Sequence, residues 1–258
     1  MPSYPEVIRF SPIKAQLDER AVRWRLGLVA LATDHTAECD FAAMCPSREI
    51  GLYVARVANA NPTTVENLRA MEPRITEAAA LILPGESLDA LAFGCTSGST
   101  VIGDEVVGDA LTRAKPGVAW VTPASGARQA LAALGAHRIS VLTPYTEEVS
   151  ESVWNYFCAH GFEIASFTCL GMEDDTAMAR ITPDSIVAAA LDACDRSAEA
   201  LFISCTAVRA AGEAERIEKL LGKPVVTSNQ AMYWQLLRAA GYRRPIRGYG
   251  RLMARTAA

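Results

Sequence analysis

Two stretches of this chain repeat one another. Leu88-Asp89-Ala90-Leu91-Ala92-Phe93-Gly94-Cys95-Thr96 runs parallel to Ala198-Glu199-Ala200-Leu201-Phe202-Ile203-Ser204-Cys205-Thr206. In each, an acidic residue precedes a short apolar run, a small residue follows, and the run ends in Cys-Thr. A second pair lies downstream in the same order: Val121-Thr122-Pro123-Ala124-Ser125 after the first, Val226-Thr227-Ser228-Asn229-Gln230 after the second. Units repeated in order, over a period a little under half the chain, imply duplicated halves. A pseudo-two-fold axis relating them would bring Cys95 and Cys205 to opposite walls of one cleft.

The pattern around the repeat defines the halves as α/β. Short apolar runs alternate with longer helical patterns, as in parallel folds. Strands are expected near Arg25–Ala32, Ile50–Val57, Leu91–Gly94, Val118–Thr122, Ile139–Thr143, Glu163–Thr168, Leu201–Ser204 and Val225–Thr227. The runs are continuously apolar rather than alternating, which suits parallel strands covered on both faces. Helices are expected to open at Thr122-Pro123, at Thr146 with Glu147 and Glu148 behind it, and at Thr182-Pro183-Asp184. The fold class is therefore two similar Rossmann-like halves with parallel sheets. Residues 1–123 and 228–258 are assigned to the first half and 124–227 to the second. Arg251 to Ala258 reads as a loose tail.

Composition narrows the function. The chain has 258 residues, half of them apolar, with a formal net charge of −4 and no basic block, so nucleic acid is a poor partner. The apolar run Leu26–Ala32 is far short of the about 20 residues of a membrane span. Met1 to Phe10 shows no basic region followed by an apolar run, and a cytoplasmic location is expected. Seven cysteines, an odd number, fit reduced thiols better than a disulfide frame. His35, His137 and His160 are scattered without metal-ligand spacing, so metal chemistry is not expected.

Each Cys-Thr falls just beyond the carboxyl end of an expected strand, where open α/β sheets bind ligands. The helix that follows offers free N–H groups, able to hold a carboxylate and to lower a thiol pKa. Inverting a carbon beside a carboxylate needs an acid and a base on opposite faces, and two thiols near ~8.5 can serve once moved toward neutrality. Donors around the turns would stabilise an enediolate. A thiolate can alternatively add to an activated double bond. Cysteine is often simply buried, and that packing reading is kept for Cys39, Cys45, Cys158, Cys169 and Cys194.

From about Trp24 to Tyr242 the chain resembles the aspartate/glutamate racemase superfamily. It looks most like the branch of maleate cis–trans isomerases, arylmalonate decarboxylases and racemase-like proteins of ectoine utilisation. The motifs are Phe93-Gly94-Cys95-Thr96-Ser97-Gly98-Ser99, Leu142-Thr143-Pro144-Tyr145, Gly171-Met172-Glu173-Asp174-Asp175, Ser204-Cys205-Thr206 and Val226-Thr227-Ser228-Asn229-Gln230-Ala231. The resemblance implies two Rossmann-like halves, no metal, no organic cofactor, and the oligomeric assembly often found in the family. It implies that Tyr145 hydrogen-bonds a substrate carboxylate and that Thr96, Ser97 and Thr206 bind carboxylate oxygens. The decarboxylases have glycine at the first cysteine, so Cys95 argues against simple decarboxylation. The maleate isomerases carry asparagines where Asp34 and Asp175 align. An ionised aspartate only accepts hydrogen bonds and repels a dicarboxylate, which points to a substrate with an amine or amide as well as a carboxylate. The bland alternative is that Asp34 caps a turn and Asp175 caps the next helix.

The expectation is a cofactor-independent two-cysteine isomerase, Cys95 and Cys205 exchanging protons at the carbon next to a carboxylate. Its substrate would be a small amino-acid-derived or dicarboxylic acid, as in ectoine catabolism. A maleate isomerase working by cysteine addition, and a non-enzymatic small-acid-binding protein, are the competing readings.

Overall fold

The computed structural model describes residues 11–255. Two four-stranded parallel sheets dominate it. The first contains β1 (Trp24–Leu31), β2 (Ile50–Val57), β3 (Ala90–Gly94) and β4 (Ala119–Val121), in the order β2-β1-β3-β4. The second contains β5 (Arg138–Tyr145), β6 (Glu163–Met172), β7 (Ala200–Ile203) and β8 (Val225–Thr227), in the order β6-β5-β7-β8. The two orders are the same, so the repeat in the sequence is a repeat in topology. Every residue of β3, β7 and β8 is buried, as expected of strands covered on both faces.

Equivalent helices join the halves. The helix Pro123–Ala133 follows β4 and opens on a capping box between Thr122 and Ser125. The helix Ser228–Ala239 follows β8 and opens on a capping box between Thr227 and Gln230. In both, a threonine hydroxyl accepts an otherwise orphaned N–H while the third helical residue reaches back. These two helices pack directly on each other. A Cβ at Gly126 would lie 2.9 Å from the Ala231 carbonyl oxygen, so only glycine permits that approach.

Several expected boundaries move, β6 among them, which runs to Met172 rather than stopping at Thr168. The second half's central strand was expected to stop at Thr143, before Pro144. Instead β5 continues to Tyr145, because the pairing shifts register between Thr143 and Tyr145 and resumes at Tyr145 with Met172. An irregularity of this kind accommodates a residue without an N–H and re-aims the next side chain. The expected loose tail is also corrected. Gly250–Ala254 is a helix with Leu252 and Met253 buried, and the Arg251 N–H donates to Glu218 at 2.9 Å. Two apolar side chains suffice to dock it. Residues 256–258 lie outside the described residues.

No helix among the described residues is long and apolar enough to cross a membrane.

Candidate active site

The carboxyl ends of β3 and β7 meet in a narrow cleft lined by Cys95 and Cys205 together. Thr96, Ser97, Tyr145, Asp175 and Thr206 line it as well. The two cysteines are 4% and 5% exposed.

Their backbones differ. Cys95 is the N-cap of the helix Thr96–Ile102, in extended conformation at φ −145°, and its Sγ accepts the Gly98 N–H at 3.2 Å. A Cβ at Gly98 would meet that sulfur at 2.9 Å, so glycine is what lets the amide reach the thiol. The Ser97 hydroxyl lies 3.7 Å from the same sulfur. Cys205 sits at φ +89°, a left-handed conformation costly for a residue with a Cβ. Three hydrogen bonds hold its turn in place. Thr206 Oγ1 donates to the Gly94 carbonyl at 3.1 Å, Thr36 Oγ1 to the Ala207 carbonyl at 2.7 Å, and Asn229 Nδ2 to the Thr206 carbonyl at 2.8 Å. Strained backbone persists where its surroundings over-determine it, and such places cluster at functional sites.

The threonine hydroxyl protons are already committed. Thr96 Oγ1 donates to Ser228 and Thr206 Oγ1 to Gly94. In this conformation their hydroxyls can meet a carboxylate only by rotating. Tyr145, fully buried, receives the Ser204 hydroxyl at 3.5 Å.

The thiols depart from the sequence expectation of a lowered pKa. Burial pushes Cys95 up to about 12, and the negative charges of Asp175 and Asp34 add to it. The Gly98 N–H and the Ser97 hydroxyl pull the other way. Burial, then Asp175, raises Cys205 as well, against the pull of the Tyr145 hydroxyl and the Ala207 N–H. At Cys95 the helix terminus is present but outweighed, since removing water from a thiolate costs more than one N–H returns. The helix expected directly after Cys205 is absent: the chain there makes an irregular turn, and the next element is the short turn Ala211–Glu213.

The two aspartates separate. Asp34 Oδ1 accepts the N–H groups of Thr36 and Ala37, each at 2.8 Å, so Asp34 caps a turn behind the cleft wall and is not among the lining residues. Burial raises it to about 6. Asp175 does not cap its helix, because Asp174 does, accepting the Thr176 N–H at 2.9 Å. Asp175 faces the cleft, with Oδ2 accepting from Thr33 Oγ1 at 2.5 Å. Its pKa is raised, by burial first.

The far wall was missed by sequence reasoning. Asn59, Thr63, Asn67, Leu68 and Met71, from the segment after β2, complete the cleft. Asn61 ties this segment across to the second half: its Nδ2 donates to Asp174 Oδ1 at 2.7 Å and its Oδ1 accepts the Asp175 N–H at 3.2 Å. The Thr63 N–H donates to the Glu173 carbonyl at 2.7 Å. The rule that ligands sit at strand carboxyl ends applies to β2 as it does to β3 and β7, and the polar run Asn59-Ala60-Asn61-Pro62-Thr63-Thr64 was the available signal. Among the described residues, no group of three His, Cys, Asp or Glu side chains is arranged to hold a metal ion.

Residues 55–253 match the family model described as arylmalonate decarboxylase. The maleate isomerase of Nocardia farcinica is 25% identical over 91% of this chain and 97% of its own length. The arylmalonate decarboxylase of Bordetella bronchiseptica is 30% identical over 54% of this chain and 60% of its own. Among solved structures, a mutant of the Nocardia farcinica maleate cis-trans isomerase with a covalently bound succinylcysteine intermediate superimposes with a TM-score of 0.82. It shares 24% identity over 91% of this chain and 99% of that one.

Proposed function

The chain belongs to the arylmalonate decarboxylase family, and from that premise we propose that it is a cofactor-independent isomerase using Cys95 and Cys205 as an acid/base pair. The reaction is inversion at the carbon next to the carboxylate of a small acid. The observation that carries this is the placement of both thiols, from equivalent turns of two repeated halves, in one closed cleft. One cysteine, as thiolate, takes the proton from the carbon beside the carboxylate. The electron pair left behind delocalises onto the carboxylate as an enediolate. N–H groups of the Cys95 and Cys205 turns would stabilise that charge. The other cysteine, as thiol, gives its proton to the opposite face. The pair ends with its roles exchanged and is ready for the reverse direction.

Racemisation and exchange of the α-proton with solvent deuterium test this together. Cys95→Ser and Cys205→Ser each lose racemisation, while one of them retains exchange on one enantiomer. Full racemisation by either single variant rules the pair out. The branch resemblance to ectoine-utilisation proteins supports screening amino-acid derivatives with extra nitrogen first.

A second reading is favoured by the succinylcysteine in the Nocardia structure. Cys95 Sγ would add to the double bond of maleate, the new single bond would rotate, and expulsion of the thiolate would give fumarate. Conversion of maleate by the wild-type protein, followed by ultraviolet absorbance, decides for that reading.

A further inference from the structure

Asp175 is a buried carboxylate with half its acceptor capacity open to a cavity. It is 7% exposed. Its Oδ2 is satisfied by Thr33, whose hydroxyl accepts from Asn59 Nδ2 at 2.9 Å and so has its one proton left for the aspartate. Among the described residues no hydrogen bond or ion pair engages Oδ1. The cleft supplies no counter-charge either: its lining contains no Lys, Arg or His. The basic groups nearby are spent or outside. Arg56 donates to the Leu31 and Asp34 carbonyls and pairs with Glu38. His35, on an exposed loop, pulls the Asp175 carboxyl down through its charge but forms no ion pair with it among the described residues. A carboxylate taken out of water without a cationic partner is an incomplete pair, and a cation brought by a ligand completes it.

A groove beside the cleft carries the same sign. Thr63, part of the cleft wall, also borders this wide open groove, lined by Glu147, Glu148, Glu151 and Glu173 beside Trp154. Charge of one sign beside a cleft favours ligands of the other. A dicarboxylate would meet repulsion from these glutamates and again at Asp175.

We propose that Asp175 is the cation subsite of the cleft, receiving the ammonium of a small amino acid whose carboxylate lies at the cysteine turns. This deepens the two-cysteine reading, sharing its cleft, and narrows the substrate from small acids in general to those bearing an amine. Thr33 and Asn59 are positioning residues: they fix the aspartate's Oδ2 and leave Oδ1 without a hydrogen bond among the described residues.

Two unreactive probes test the subsite without any turnover. Succinate and 3-aminopropanoate share a carboxylate and a two-carbon spacer and differ in carrying a second carboxylate or an ammonium. Calorimetric titration above the carboxylate range should show 3-aminopropanoate bound at least about tenfold more tightly than succinate by the wild type. Asp175→Asn should remove that preference, and Asn59→Ala should reduce it. Wild type that prefers succinate, or binds it with proton uptake, would overturn the proposal, since Asp175 would then be a protonated donor to a carboxylate. A preference unchanged in Asp175→Asn overturns it as well, as does failure of the wild type to bind either probe. Absence of deuterium exchange would count against the two-cysteine mechanism and leave this binding ratio readable.

Discussion

The side-chain amide of Asn229 holds the carbonyl of Thr206 at 2.8 Å, one residue beyond the strained Cys205. Its second amide proton goes to Asp40 Oδ2 at 2.7 Å, and its own Oδ1 is buried without a partner. The helix that joins the halves thus reaches back and clamps the cysteine turn. Asn229→Ala would leave the Thr206 carbonyl and the Asp40 carboxylate short of a donor, at about 1–3 kcal/mol of stability. If the clamp aims the Cys205 sulfur, kcat falls by about tenfold or more with KM little changed. A variant that melts earlier yet keeps the wild-type kcat would reduce Asn229 to a structural strut.

Cys205 should gain from glycine. At φ +89° a side chain is strained and glycine is not, so Cys205→Gly should be more stable than Cys205→Ala by about 1 kcal/mol. Urea denaturation of the two variants reads the sign directly. Cys205→Gly no more stable than Cys205→Ala would mean that the Cys205 conformation is not what limits its stability.

The cysteine pair was legible because the chain states it twice, with an apolar run and a Cys-Thr ending each time. The sheets were legible because buried parallel strands are continuously apolar. Other features depended on contacts that no local pattern carries. Tyr145 reaches the cleft only because β5 slips register past Pro144, which depends on its partner β6. Asp34 and Asp175 looked alike as residues, and the neighbouring Asp174 decided which of them faces the cleft by taking the cap itself. The thiol levels went the wrong way in the sequence reading because a helix terminus is visible in sequence, whereas full burial beside Asp175 is not.

That burial makes a prediction about charge. Asp175 is the neighbouring charge that most raises both thiols, after desolvation. Asp175→Asn removes the charge and keeps the shape, so both thiols should titrate at lower pH. Thiolate ultraviolet absorbance would show this in proteins whose Cys39, Cys45, Cys158, Cys169 and Cys194 are serine, with Cys95→Ser and Cys205→Ser to assign each step. Unmoved titrations in Asp175→Asn would show that desolvation alone sets the thiol levels.

Asp34 gives the fold its own pH dependence. Its carboxyl is raised from an ordinary value of 3.8 to about 6, by burial first and despite two N–H donors. Between those two values the folded chain holds a proton that the unfolded chain has lost. The slope of unfolding free energy with pH is therefore negative there. This contribution is fully present below about pH 3.8 and is lost as pH rises through about 6. Its size is about 2 kcal/mol once relaxation around a buried group is allowed for. Asparagine keeps an oxygen to accept from Thr36 and Ala37 and has no charge to bury. Asp34→Asn should therefore be more stable than wild type at neutral pH and show a flatter stability profile between about pH 4 and 6. Denaturant midpoints across that range check it. A variant destabilised at neutral pH would mean that the ionised carboxylate repays its burial through the two N–H groups it caps.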